Sequence, residues 1–193
     1  MISFLKHKEI SRDFWTSLEK RFASESILNQ ISLEYFVDLQ IPFAIAGIHN
    51  EKIWNKFEEI VFRNLKIFET DKDYLMNTIY SFSRSGKGST AFWNKFCSII
   101  SKDLNGYDID DLGQIAVCLK SEYVTKNKLE SILNKNFWDN FAKNVEAKLN
   151  SAKLNSLNNL FRGIKENEFL NKNEKLIQKI ESRINELLKN MPK

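Results

Sequence analysis

The chain has few glycines and prolines, six and two in 193 residues. With so few residues suited to tight turns, an all-β fold is excluded and helices must carry the chain. The two cysteines, Cys97 and Cys118, stand in apolar helical text at no metal or redox spacing, and both read as buried reduced thiols. Neither His7 nor His49 has a carboxylate or cysteine at ligand spacing, so both read as surface or loop histidines and no metal is expected. No run of 18 apolar residues exists, which excludes a transmembrane helix on length; the nearest approach, Leu39 to Ile48, is broken by Pro42. The opening Met1-Ile2-Ser3-Phe4-Leu5-Lys6-His7-Lys8 is neither a secretory signal nor an Arg-rich transit sequence, and an intracellular protein is expected. Arginine is scarce as well, six against 23 lysines, so the planar donor best suited to phosphate and base edges is in short supply. A net charge of +4 permits nucleic acid without requiring it.

What the chain does have is a rhythm. Tryptophan falls at 15, 54, 93 and 138, intervals of 39, 39 and 45, and Ile177 takes the next slot 39 residues on. Each slot opens the same phrase: Phe14-Trp15-x-x-Leu18, Ile53-Trp54-x-x-Phe57, Phe92-Trp93-x-x-Phe96, Phe137-Trp138-x-x-Phe141 and Leu176-Ile177-x-x-Ile180. A period near 40 suits one helical hairpin per repeat, stacked so that neighbours bury what one pair cannot. The expected fold is all-α, an αα-hairpin repeat solenoid of four to five repeats in one domain over 1–193. Residues 1–10 form an N-terminal extension and 123–136 an insertion in the third repeat.

The Trp-bearing second helices are predicted near 12–28, 51–68, 91–104, 137–150 and 174–190. Their N-caps are Ser11, Asn50, Ser89 or Thr90, Asn136 and Asn173. First helices fall near 32–48, 72–85, 109–122 and 153–166, capped by Ser32, Asp71, Asp108 and Ser151. A second register agrees with the first, since Phe36, Leu75, Leu112 and Leu157 stand 21, 21, 19 and 19 residues after the preceding Trp. Gly47 and Gly86 suit the left-handed position that ends a helix. Trp54, Phe57, Trp93, Phe96, Trp138 and Phe141 are the predicted core, because each Trp has an apolar partner at i+3 on its own face. The last helix carries one narrow apolar stripe, Ile177, Ile180, Ile184, Leu187 and Leu188, and reads as a solvent-facing cap.

The phrase from Tyr74 to Lys87, Tyr-Leu-Met-Asn-Thr-Ile-Tyr-Ser-Phe-Ser-Arg-Ser-Gly-Lys, followed by Phe92-Trp93-Asn94-Lys95-Phe96, resembles the organellar octotricopeptide, heptatricopeptide and FAST-kinase-like leucine-rich repeats. There a leucine-rich first helix ends in phenylalanine and glycine and a tryptophan leads the second. The resemblance implies a mitochondrial, non-catalytic binding protein, acting on RNA or serving as a subunit of an organellar ribosome or energy-converting complex.

Chemical motifs are sparse. Ser85-Gly86-Lys87-Gly88-Ser89 lacks the first glycine of a phosphate-binding loop and reads as an inter-helix turn. Asp108, Asp110 and Asp111 lack the glycine and terminal glutamate of a calcium loop and read as helix-capping residues. No nucleophile is paired with a base, so neither an enzyme nor a cofactor is expected. The first helices carry −2 over 31–49, +1 over 71–87, −3 over 108–122 and +1 over 151–168, an acidic lining that repels phosphate.

These counts favour other protein subunits of a large assembly as partners, through an apolar surface in the N-terminal third. Phe14, Trp15, Leu18 and Phe22 have no preceding hairpin to cover them, and Phe43 and Ile45 lie on an apolar helix that Pro42 should bend. Peripheral contact with a membrane is compatible with that face. RNA is the alternative partner, with Lys126, Lys128 and Lys135 as its contact residues.

Overall fold

The computed structural model describes residues 11–119, 124 and 126–190. Among these the chain is all-helical, with eleven α-helices and no strand. They are α1 (Arg12–Phe22), α2 (Glu25–Leu28), α3 (Leu33–Ala46), α4 (Glu51–Arg63), α5 (Leu65–Thr70), α6 (Lys72–Ser85), α7 (Thr90–Lys102), α8 (Ile109–Cys118), α9 (Lys135–Lys148), α10 (Leu154–Glu166) and α11 (Glu174–Lys189). The extension 1–10 and part of the 123–136 insertion lie outside the described residues.

Side-chain acceptors set the helix starts. Ser11, Ser32, Asn50, Asp71, Ser89, Asp108 and Asn173 each accept an amide N–H from the first turn they precede. Two starts differ from the sequence reading. Asn134, not Asn136, caps α9 by accepting from Phe137 N, which draws Lys135 and Asn136 into the helix. The residue before α10 is Lys153, with no side-chain cap, and Ser151 ends the preceding 3-10 turn instead. Gly47 and Gly86 end α3 and α6 in the left-handed region, at φ 71° and 69°, where glycine alone sits without steric cost.

Three of the second helices, α4, α7 and α9, end before the predicted boundary, and each hands over to a short extra turn. At Asn64, between α4 and α5, the side-chain amide donates to the Ile60 carbonyl and caps the break. The 3-10 turn Leu104–Gly106 follows α7, and Leu149–Ser151 follows α9. Leu65, Leu104 and Leu149 open these pieces, each 11 residues after its Trp, a third register laid over the other two.

First helices pack in chain order, α3 on α6, α6 on α8 and α8 on α10, while α10 also packs on α11. Helices α8 and α10 approach closely. A Cβ on Gly163 would stand 2.7 Å from the Gly113 carbonyl oxygen, so only glycine fits. Side-chain hydrogen bonds also link elements about one Trp interval apart. Lys87 to Glu51, Gln114 to the Met76 carbonyl, Ser156 to Asp110, Lys179 to Glu146 and Arg183 to the Asn150 carbonyl span 33 to 46 residues.

All six predicted core residues are buried, in one continuous core from Leu28 to Ile180. Aromatic rings thread its N-terminal part. Trp15 meets Phe43, Phe43 meets Phe57, Trp54 meets Phe82, and Phe82 stacks on Phe92 with centroids 4.1 Å apart. Trp54 Nε1 donates to the Ile48 carbonyl at 2.7 Å and Trp93 Nε1 to the Lys87 carbonyl at 3.1 Å. In both, the acceptor lies six residues earlier, on the turn before the helix.

Two buried polar side chains contrast. Asn167 donates to the Ala116 and Leu119 carbonyls and accepts from the amides of Phe169 and Leu170, so its full hydrogen-bonding capacity is used. Gln40 is fully buried with neither amide atom paired, because it falls on the inward stripe of α3 with Phe36, Phe43 and Ala44.

Candidate functional site

The motifs read as structural have structural partners. Asp108 and Asp111 form a capping box at the start of α8, and Asp111 also pairs with Lys72 at 2.8 Å. That pairing holds the Lys72 ammonium above its usual range. Asp110 accepts from the Ser156 hydroxyl at 2.9 Å. In the Ser85–Ser89 turn, Lys87 is committed to Glu51 and holds that carboxyl below its usual range, with Lys126 acting in the same sense. Ser89 gives its backbone N–H to Glu58 at 2.9 Å and its hydroxyl to the other oxygen of the same carboxylate. The donors that a phosphate would need are therefore engaged. His49 Nδ1 lies 3.1 Å from the Ser85 carbonyl, and His7 lies outside the described residues. Burial pushes the Cys97 thiol up to about 12, an inert thiol rather than a nucleophile. Among the described residues no cluster of three His, Cys, Asp or Glu side chains is arranged to hold a metal, and no helix is long and apolar enough to cross a membrane.

What remains are two apolar surfaces. The first is N-terminal. α1 has no fully buried residue; Phe14 is 50% exposed, and Trp15, Leu18 and Phe22 are half-buried. Beside it α3 turns Tyr35, 61% exposed, and Ile45, 39% exposed, outward. A groove of about 300 Å³ runs between Leu18, Arg21, Phe22, Ile27, Ile31 and Tyr35. Five of the six residues expected at a partner surface are thus open or partly open.

Phe43 is the exception and corrects the expectation. Seven residues after Phe36, it occupies the inward stripe of α3 and is fully buried, with Trp15 and Phe22 edge-on to it at 6.3 and 5.4 Å. It anchors α1 to α3 instead of facing out. α3 also runs unbroken through Pro42 to Ala46.

The second surface was not read from the sequence. A half-open trough of about 560 Å³ lies between the start of α9, with the turn before it, and the segment leading into α11. Trp138 and Phe169 stack in its wall, centroids 5.4 Å apart and planes 10° from parallel. Phe169 is 40% exposed. Trp138 Nε1 is buried and has no hydrogen-bond partner, unlike its counterparts in Trp54 and Trp93. The one available signal was the 45-residue interval before Trp138, which implies a remodelled turn at the place where the other two repeats supply an acceptor.

Of the three lysines proposed for RNA, all are exposed, but they are placed differently. Lys135 is the first residue of α9 and lines this trough, while Lys126 stands near enough to Glu51 to act on its carboxyl. Comparison of the chain with protein-family models, with curated proteins and with solved structures finds no match in any of the three.

Proposed function

We propose that the chain is an αα-hairpin repeat solenoid serving as a non-catalytic structural or scaffold subunit of a large mitochondrial assembly, either a respiratory-chain or ATP synthase complex or the mitochondrial ribosome. Three registers at a common spacing support the repeat reading, as do first helices packed in chain order and hydrogen bonds between neighbouring hairpins. The mitochondrial setting rests on the resemblance of Tyr74–Phe96 to organellar repeats.

One observation carries the scaffold reading, the N-terminal face on which Tyr35, Phe14 and Ile45 expose large apolar surface around the Leu18–Phe22–Tyr35 groove. Apolar side chains gathered around a groove are a feature of protein docking surfaces. Its partners are other protein subunits, and peripheral contact with a membrane suits the same face.

The test is sedimentation of the endogenous chain at moderate salt, beside a Tyr35→Asp, Ile45→Asp variant. Both changes are at exposed positions, so the fold is expected to survive. The parent should sediment with a megadalton-scale particle and the variant as a free chain of 22.7 kDa. Co-sedimentation of the variant with the particle sinks the assignment of that face. Loss of the particle on ribonuclease treatment, with nanomolar, sequence-dependent RNA affinity at about 0.15 M salt, replaces the scaffold reading with the organellar RNA-binding one.

A further inference from the structure

We propose that the chain's own residues 1–10 seat on the open N-terminal end of the stack. Phe4 stacks on Phe14 as Phe82 stacks on Phe92, and Ile2 and Leu5 rest against Pro42 and Ala46 of α3. This deepens the scaffold reading, on which the assignment of the N-terminal face to a partner rests. The seat takes the Phe14 end of that face and leaves the groove at Leu18, Phe22 and Tyr35 to the partner.

Two bonds fix which side of a first helix meets which neighbour. Gln114 of α8 donates to the Met76 carbonyl, and Ser83 Oγ donates to the Cys118 carbonyl, so the side of α6 bearing Met76 and Ser83 faces α8. By helical periodicity Tyr74, Thr78, Ser81 and Ser85 lie on the opposite side, toward α3, and the last three are buried there. One interval of 39 earlier the same stripe on α3 is Tyr35, Leu39, Pro42 and Ala46, of which Tyr35 is exposed and the others only half-buried. Among the described residues no first helix stands before α3 to cover it. Phe14 is open for the same reason. Its counterparts in the later repeats, Ile53, Phe92, Phe137 and Leu176, are at most 5% exposed, against 50% for Phe14.

Residues 1–10 carry the pattern that fits this end. Phe4 stands 39 residues before Phe43 and 78 before Phe82, and it precedes Phe14 by ten residues, as Phe82 precedes Phe92. Met1 and Phe4 are in register with Ile79 and Phe82, which lie in the core, and Ile2 and Leu5 with Tyr80 and Ser83, on the side turned to the next first helix. All four positions are apolar. Ser3, Lys6 and His7 fall instead at the counterparts of Ser81, Arg84 and Ser85, on the far and outer sides, so the polar and apolar residues partition as a seated helix requires. Glu9 stands six residues before Trp15, the spacing at which Trp54 takes the Ile48 carbonyl and Trp93 the Lys87 carbonyl. Reach suffices, since Ser11 caps α1 and eight residues make two helical turns of about 12 Å, enough to lie along the Pro42–Ala46 half of α3. Lys8 falls where Gly47 and Gly86 take left-handed φ, so this seat closes without the glycine and holds less tightly than its later counterparts.

The test is nuclear magnetic resonance on the full chain labelled with ¹³C and ¹⁵N. The ring protons of Phe4 and Phe14 should show mutual cross-peaks, and the methyls of Ile2 and Leu5 cross-peaks to Pro42 or Ala46. Phe4→Ser and Leu5→Asp should each raise amide exchange over residues 14–18 of α1 by roughly fivefold or more, while Ser3→Asp and Lys6→Asp leave it within roughly twofold. Cross-peaks from Phe4 to Phe22 or Tyr35 in place of Phe14 overturn the proposal, as does an equal change in exchange at all four positions or at none. Peaks that arise only between labelled and unlabelled chains assign the seat to a second copy and overturn it as well. The measurement needs no partner, so its failure leaves the scaffold reading standing. Failure of the Tyr35→Asp, Ile45→Asp variant to leave the particle, in turn, leaves the seat standing.

Discussion

The same substitution, Trp→Phe, made at 54, 93 and 138 should have unequal costs. All three rings are buried, at 1%, 0% and 5% exposure, so the packing loss from the smaller ring is similar at each. The hydrogen bond is what differs. At 54 the change leaves the buried Ile48 carbonyl without its donor, and at 93 the part-buried Lys87 carbonyl, at about 1–3 kcal/mol beyond the packing loss, with 93 toward the lower end. At 138 no bond is lost, and an unpaired buried N–H is removed. Trp54→Phe and Trp93→Phe should therefore each be less stable than Trp138→Phe by about 2 kcal/mol. For a chain of this length that is roughly 4–8 °C in melting temperature. Thermal melts and urea titrations of the three variants and the parent measure it, and an unchanged urea slope would show that stability alone had moved. Equal costs at all three positions, or the largest cost at 138, would refute the claim that the third indole lacks an acceptor. Trp93→Ala provides a scale for the series, at about 3–5 kcal/mol, and a variant melting within a degree or two of the parent would remove Trp93 from the core.

Gly163→Ala places a methyl 2.7 Å from the Gly113 carbonyl oxygen and should cost about 1–3 kcal/mol in urea denaturation, since backbone on α8 must move to admit it. Gln40→Leu is close in volume and removes two unpaired polar atoms, so it should stabilise by about 1–3 kcal/mol; a loss of stability would mean the amide is satisfied in solution. Burial raises Cys97 from 9.0, and Tyr107 from 10.0, each to about 12. Both shifts are upward, so their stabilisation is full below pH 9 and is lost as pH climbs toward 12. The urea midpoint should fall over that window, less steeply in Cys97→Ala, and Cys97 should resist Ellman's reagent at pH 8; rapid labelling would contradict its burial.

Much of the architecture was legible because helices are specified by local rules. Seven of the nine expected caps stand where short polar side chains precede apolar periodicity, and Gly47 and Gly86 close α3 and α6. Misses arose where two local solutions competed. Asn134 and Asn136 are both good caps, and the nearer neighbourhood decides, since Asn134 Nδ2 also holds the Ser131 carbonyl. Helix α4 ends early because Asn64 caps the Ile60 carbonyl from within what reads as a continuous apolar stretch. The apolar count along α3 does not place Phe43; the stripe set by Phe36 does. With the stripe fixed by Phe36, the polar Gln40 goes inward and Tyr35 and Ile45 go outward, opposite to what composition favours.

Trp138 shows why a repeat signature can conceal a difference between repeats. Sequence periodicity reports side chains, and by that measure Trp138 is equivalent to Trp54 and Trp93, with the same phrase and the same burial. What completes the indole in those repeats is a backbone carbonyl, and every residue type carries one, so no letter in the sequence marks its presence or loss. Only the path of the turn decides whether it arrives. In the first two cases that path runs through a glycine, Gly47 or Gly86, in the left-handed region, and the acceptor follows one residue later at Ile48 or Lys87. The third repeat has no glycine between Gly113 and Gly163, its interval is six residues longer, and the positive φ falls instead on Lys128, ten residues before Trp138. The chain arrives at the helix by another route and leaves the N–H unclaimed. Shortening the 126–134 turn and restoring a glycine seven residues before Trp138 should return the acceptor and stabilise the chain by about 1–3 kcal/mol. Trp→Phe at 138 should then cost as much in the redesigned chain as it does at 54 and 93, and an unchanged small cost would mean that the indole has gained no acceptor.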